Sequence, residues 1–96
     1  MNWDDLRIFL AISRSGGLTQ AGERLKIDHT TVARRLGALE AAVGARLVVR
    51  SPRGARLTEA GAALALHAER IETEVMSAGA RLGGTDLKPA GVVRLA

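Results

Sequence analysis

Residues 21–44, AGERLKIDHTTVARRLGALEAAVG, leave the chain little freedom in what they fold into. Val32, Leu36, Leu39 and Val43 are spaced four, three and four apart. At about 100° per residue they fall within about 60° of one another on a helix, a narrow stripe to bury. Gly44 stops that helix. A shorter helix precedes it, over about 19–26, with Thr19 as its N-cap and Leu18 and Leu25 to bury. Its Ala21 and Gly22 are small, as a close helix crossing needs. Ile27-Asp28 makes the turn between the two, and Asp28 or Thr30 caps the second helix. Two helices joined by so short a turn form a helix-turn-helix.

The flanking segments complete a domain around this pair. Leu6, Phe9, Leu10 and Ser13 fall at helical spacing over about 3–14. Asp4 and Asp5 lie in the first turn, where carboxylates suit the helix dipole, and Ser15-Gly16-Gly17 ends the helix. Arg46 to Arg50 reads as a strand and Ala55 to Leu57 as a shorter one. Ser51-Pro52-Arg53-Gly54 between them suits a β-turn, with Pro second and Gly fourth. This is a two-stranded wing with Arg53 near its tip. Thr58 caps a long helix over about 59–82, about 36 Å at ~1.5 Å per residue. Leu64, Ala68, Ile71, Val75, Ala78 and Leu82 form a heptad seam along it, longer than so small a domain covers. The simplest occupant is the same helix of a second copy, giving a homodimer; the alternative is a further part of the same chain. Residues 83–91 read as a hinge, and 92–96 start like a strand with nothing to pair with. The expected fold is mainly α: a winged helix-turn-helix of three helices and a two-stranded wing over 1–58, a long dimerisation helix over 59–82, then a hinge and the first strand of a further domain over 83–96.

Charge narrows the function. Residues 1–57 hold ten Lys/Arg against five Asp/Glu, whereas 58–96 hold four against five. The positive charge is therefore local, as an electrostatic footprint for phosphate requires. There is no Cys, hence no disulfide framework and no thiolate metal site. The N-terminus lacks the pattern of a signal peptide, and no stretch reaches the ~18 apolar residues of a membrane span. The cytoplasm is the expected location. Asp28-His29-Thr30 holds an acid, a base and a hydroxyl, but adjacent residues on a helix point apart and form no relay. The two His residues have no Asp or Glu at metal spacing, and no Gly-rich loop cradles a phosphate. No enzyme, metal or cofactor is expected.

The ordered set Leu6, Phe9, Thr19, Ala21, Leu25, Val32, Arg34, Leu36, Leu39-Glu40, Gly44, Leu47, Arg50 and Leu57-Thr58-x-Ala60-Gly61 resembles the N-terminal DNA-binding domain of LysR-type transcriptional regulators. The resemblance runs from Leu6 to about Leu82. It implies a winged helix-turn-helix followed by a dimerising helix. It also implies an effector domain beyond this chain, through which alone a small-molecule inducer would act. Some departures concern packing: Val48 stands where the family often has Phe, Leu18 where it often has an aromatic, and Gly22 where Ala is usual. Another concerns reading. Many members carry Ser-Gln near Asp28-His29 and Ser at Ala33, so base preference does not transfer from a typical member to DHTTVARR.

The outward side of the third helix has Thr30, Arg34, Gly37 and Ala41. Its N-terminal half donates hydrogen bonds, and its C-terminal half is small enough not to obstruct a close approach. In winged helix-turn-helix proteins the second helix of the motif sets its N-terminal side chains against base edges. His29, Thr30, Thr31 and Arg34 are the expected base contacts: Thr offers a hydroxyl and a methyl, and Arg a fork that fits guanine. Thr19, Gln20, Arg50 and Arg56 are expected on the DNA backbone. Arg35 is assigned there too, with an internal carboxylate such as Glu40 as its alternative partner. Arg53 is expected at the minor groove. His67 faces solvent or the seam. The partner implied is double-stranded DNA carrying an interrupted palindrome, bound by a homodimer. The alternative is a helix-turn-helix and coiled-coil module that only binds protein.

Overall fold

The computed structural model describes residues 1–82; the expected hinge and strand over 83–96 lie outside the described residues. The first helix, α1 (Trp3–Ser15), is opened by Asn2, whose side-chain oxygen accepts the Asp5 N–H at 2.9 Å. Gly16 ends it. The second, α2 (Leu18–Leu25), starts earlier than its sequence suggests. Its N-cap is Gly17, with no side-chain cap, and Thr19 lies one residue inside the helix. Leu18 packs against the core, which draws it into the helix and leaves Thr19 no capping role. After the turn at Lys26–Asp28, α3 (His29–Val43) is capped by Asp28, which accepts the Thr30 N–H at 3.3 Å. Val32, Leu36 and Leu39 are buried as the stripe requires, whereas Val43 is 37% exposed. The stripe therefore stops one turn before the helix does.

Strands β1 (Val48–Ser51) and β2 (Gly54–Leu57) pair antiparallel around Pro52 and Arg53, with Val48 opposite Leu57 and Arg50 opposite Ala55. The wing is tied to the rest at both ends. At its tip, the Ala55 N–H donates to the Gly16 carbonyl at 2.9 Å. Gly54 has φ 123°, and a Cβ there would lie 2.6 Å from the same carbonyl oxygen. Only glycine meets both conditions.

At the base of the wing everything meets around Leu47, which is buried. The Glu40 carboxylate, from the end of α3, accepts the Leu47 N–H at 2.8 Å and the Val48 N–H at 3.3 Å. Glu40 is thus spent on the wing rather than on Arg35. The Thr58 N–H donates to the Leu47 carbonyl at 3.0 Å, and the Thr58 hydroxyl to the Arg46 carbonyl at 2.6 Å. The same hydroxyl oxygen accepts the Gly61 N–H at 2.9 Å and so caps α4 (Glu59–Arg81). A Cβ on Gly61 would fall inside the van der Waals envelope of the Leu47 carbonyl oxygen.

The core centres on α1, where Leu6, Ile8, Phe9, Leu10, Ala11 and Ile12 are all buried. Ile8, Ala11 and Ile12 fall outside the one-sided pattern read from sequence. They are covered because α2, α3, α4 and β2 all pack on α1, so more than one of its sides is shielded. This also corrects the seam on α4. Ala68 is fully buried within one protomer and so is not open to a second copy, whereas Leu64 packs on the same core but is only partly buried. Ile71, Val75, Ala78 and Leu82 remain exposed. Arg14 at the end of α1 holds Glu72 of α4 through two hydrogen bonds of 2.7 and 3.0 Å.

Two glycines should respond oppositely to a methyl group. Gly61→Ala meets the Leu47 backbone and should cost about 1–3 kcal/mol. Gly37→Ala points into open space within a helix and should add about 0.5–1 kcal/mol. Urea unfolding of both at one protein concentration checks the two signs.

Candidate nucleic-acid interface

The N-terminal half of α3 is shaped by Asp28. Its carboxylate caps the helix and accepts a hydrogen bond from the Thr30 hydroxyl, which holds the Asp28 carboxyl below the usual carboxylate range. His29 Nδ1 lies 3.9 Å from the other carboxylate oxygen. His29, Thr30 and Arg34 are exposed, as are Gly37, Ala38 and Ala41 farther along; Thr31 and Ala33 are half-buried. The helix therefore shows polar groups at its start and an unobstructed small-residue surface behind them.

Beside it lies a groove of about 320 Å³ between the start of α2, the start of α3 and the wing. Thr19, Gln20, His29, Arg50 and Arg53 all line it, so five of the expected DNA contacts converge from three elements. The Gln20 side chain folds back over Gly17, into the space a Cβ there would take. Thr30, Thr31 and Arg34 are not part of this groove.

Arg56 stands apart from Arg50. Residues opposite each other in an antiparallel pair share a face, and faces alternate along each strand. Val48, Arg50, Ala55 and Leu57 therefore lie on the face toward the core and the groove, while Val49 and Arg56 lie on the other. The two arginines flank the ribbon instead of lining one side of it. Arg53, at the tip, borders both faces.

Arg35 is placed differently from its expected role on the DNA backbone. Its guanidinium reaches α1, with Nε 2.8 Å from an Asp5 oxygen and an Nη 2.7 Å from an Asp4 oxygen. The internal carboxylate offered as its alternative was Glu40; the partners are Asp4 and Asp5, thirty-one and thirty positions away. The second Asp4 oxygen takes Arg7 at 2.8 Å. These contacts, Arg7 first and Arg35 after it, hold the Asp4 carboxyl below its ordinary value. Asp5 and then Asp4 push the Arg35 pKa upward.

The carboxylates thus divide the cations into two sets. Arg7, Arg14 and Arg35 are ion-paired. Arg34, Arg50, Arg53 and Arg56, together with Arg24, Lys26, Arg46, Arg70 and Arg81, have no ion pair among the described residues and are exposed. Sequence reasoning passed over the last five, for which charge was the only signal. Among the described residues no helix is long and apolar enough to cross a membrane, and no cluster of His, Cys, Asp or Glu is arranged to hold a metal.

Helix, turn, helix and ribbon in this arrangement define a winged helix-turn-helix. The profile of the bacterial regulatory helix-turn-helix proteins of the lysR family matches residues 3–62. The chain belongs to that family. It is 50% identical to the Mau operon transcriptional activator of Paracoccus denitrificans over 44 residues, covering 46% of this chain and 16% of that protein. It is 36% identical over 91 residues to a helix-turn-helix transcriptional regulator of Xanthomonas campestris, covering 95% and 26%. The chain thus spans 16% and 26% of the length of these two relatives. Among solved structures, that of a CbnR DBD–DNA complex superposes with a TM-score of 0.82 at 34% identity, covering 88% of this chain and 97% of that one.

The ion pairs predict an acid-sensitive fold. Asp4 and Glu72, whose folded-state carboxyls are lowered by arginine contacts, stabilise the protein fully above the ordinary carboxyl pKa of about 4, and that contribution is lost as pH falls through the lowered values. The thermal midpoint should therefore fall from about pH 5 to pH 3. Replacing all three arginine partners, Arg7→Gln and Arg35→Gln at Asp4 with Arg14→Gln at Glu72, should lower the midpoint at neutral pH and flatten that fall. A fall as steep as in the parent would assign it to other carboxylates.

Proposed function

We propose that this region binds double-stranded DNA in a sequence-specific way as a homodimer, the DNA-binding part of a bacterial transcriptional regulator. One observation carries the reading. The arginines that flank the exposed start of α3 and form the wing are unpaired, while Arg35, turned toward α1, and Arg14, turned toward α4, are neutralised by carboxylates. A basic surface kept clear of internal anions beside a groove is suited to phosphate. Family membership and the likeness to a DNA-bound relative point the same way.

In this reading α3 enters the major groove. His29, Thr30, Thr31 and Arg34 face base edges, with the Thr30 hydroxyl donated to Asp28 and its methyl left for a thymine methyl. Thr19, Gln20 and Arg50 meet phosphate on the groove side of the wing, Arg56 meets it on the other side, and Arg53 reaches the minor groove. Arg35 is withdrawn from the phosphate set. Two such domains bind an interrupted palindrome, with half-sites about 34 Å or a multiple apart. The homodimer forms through Ile71, Val75, Ala78 and Leu82 of α4. Regulation by a small molecule belongs to a further domain, and the site of action is the cytoplasm. No catalytic step is assigned to the chain.

Anisotropy of a labelled duplex from the gene's own upstream region, against a shuffled duplex at about 0.15 M salt, tests the reading. A preference of about a hundredfold is expected, with loss of affinity on added salt equivalent to about four to eight phosphates per protomer. Absence of binding to either duplex would favour a protein-interaction module. Arg34→Ala should cost about 1–3 kcal/mol on the specific duplex and little on the shuffled one; equal losses on both would make Arg34 a phosphate contact. For assembly, Ile71→Asp with Val75→Asp should give monomers in sedimentation. Both side chains are exposed within one protomer, 39% and 45%, so the fold should survive the change.

A further inference from the structure

Arg34 and Arg35 are neighbours in sequence at the edge of the same recognition surface, yet only Arg34 is unpaired. Arg35 is gripped from α1 by two separate carboxylates, its Nε on Asp5 at 2.8 Å and an Nη on Asp4 at 2.7 Å. Its side chain is 30% exposed and that of Asp5 13%, so one end of this contact is nearly out of water. A planar guanidinium held at two points fixes direction as well as distance. Consecutive residues on a helix point about 100° apart. Holding Arg35 against α1 therefore constrains the rotation of α3 about its own axis and with it the direction of Arg34.

The contact has a second consequence, electrostatic. An arginine free to swing at the edge of the recognition surface would add a phosphate contact that reads no sequence. Paired to two carboxylates, it adds none.

We infer that Asp4 and Asp5 act on Arg35 as a selectivity hold. They position α3 through it and withhold its charge from phosphate, so that sequence-independent binding stays weak. Arg35 is here a positioning residue rather than a DNA contact. The inference rests on the DNA-binding reading and adds to it a device that sets the ratio of specific to non-specific affinity.

The experiment measures affinity for the specific and the shuffled duplex across about 0.05–0.2 M salt. It uses the parent chain, Arg35→Gln, the pair Asp4→Asn with Asp5→Asn, and that pair combined with Arg35→Gln. Each phosphate neutralised adds about 0.9 to the salt slope. The Asp4/Asp5 variant should bind the shuffled duplex severalfold more tightly, with a slope steeper by about one phosphate, and its selectivity should fall. Because Asp4 also holds Arg7, the combined variant is decisive: removing Arg35 should abolish the gain. Arg35→Gln alone should leave the shuffled-duplex slope as in the parent while lowering selectivity.

Three results would overturn the inference. They are a shallower slope for Arg35→Gln, which would make Arg35 a phosphate contact after all; a gain in the Asp4/Asp5 variant that persists without Arg35; and equal losses on both duplexes with unchanged slopes, as a merely structural ion pair would give. Should the Asp4/Asp5 variant not fold, the slope of Arg35→Gln still decides. If the parent binds neither duplex, the DNA-binding reading falls and this inference with it. If the parent binds and the slopes do not behave as stated, only the inference falls.

Discussion

Leu6, Ile8, Phe9, Leu10, Ala11 and Ile12 surround the axis of α1, and no single neighbouring helix could keep water from all of them. Each large member of that set gains about 1.5–3 kcal/mol by leaving water, so the helix is driven to acquire cover on every side. α2, α3, α4 and β2 all pack on it. Everything that matters at the recognition surface is positioned relative to this hub. α3 is seated by Val32, Leu36 and Leu39. The wing hangs from the turn that ends α1. α4 spends Leu64, Ala65 and Ala68 on the hub and has Ile71, Val75 and Ala78 left over.

The second organising force is the distribution of carboxylates. The region is basic, and several of its anions are committed to contacts within the fold. Asp4, Asp5 and Glu72 stand on or against α1 and take up the arginines nearest them. Glu40 faces the backbone of β1, where its oxygen satisfies two N–H groups that β2 does not reach. Asp28 caps α3 and organises Thr30. Surface ion pairs of this kind add little stability one by one. Their larger effect here is to decide which positive charges remain available outside.

Around Leu47 the end of α3, the wing and the start of α4 are joined by hydrogen bonds from Glu40 and Thr58, with Gly61 packed on the Leu47 carbonyl. A shift of the wing is thereby a shift of α4 as well. The wing arginines and the apolar face of α4 therefore belong to one connected unit.

Much of this was legible in the chain before any coordinates. The stops at Gly16 and Gly44, the caps Asp28 and Thr58, the turn at Pro52-Arg53 and the buried stripe of α3 are all dictated within about one helical turn, because caps, turns and periodicity act over a few residues. The outward placement of His29, Thr30 and Arg34 follows from the same periodicity. Tertiary structure decided the rest. Thr19 lost its capping position because packing drew Leu18 into the helix. Ala68 left the exposed seam because α1 needed cover on that side. Arg35 found its partners thirty positions away on another helix instead of on Glu40. Which distant carboxylate meets which arginine depends on how the helices are rotated about one another, and that rotation is set by the burial of α1, to which distant parts of the chain contribute together.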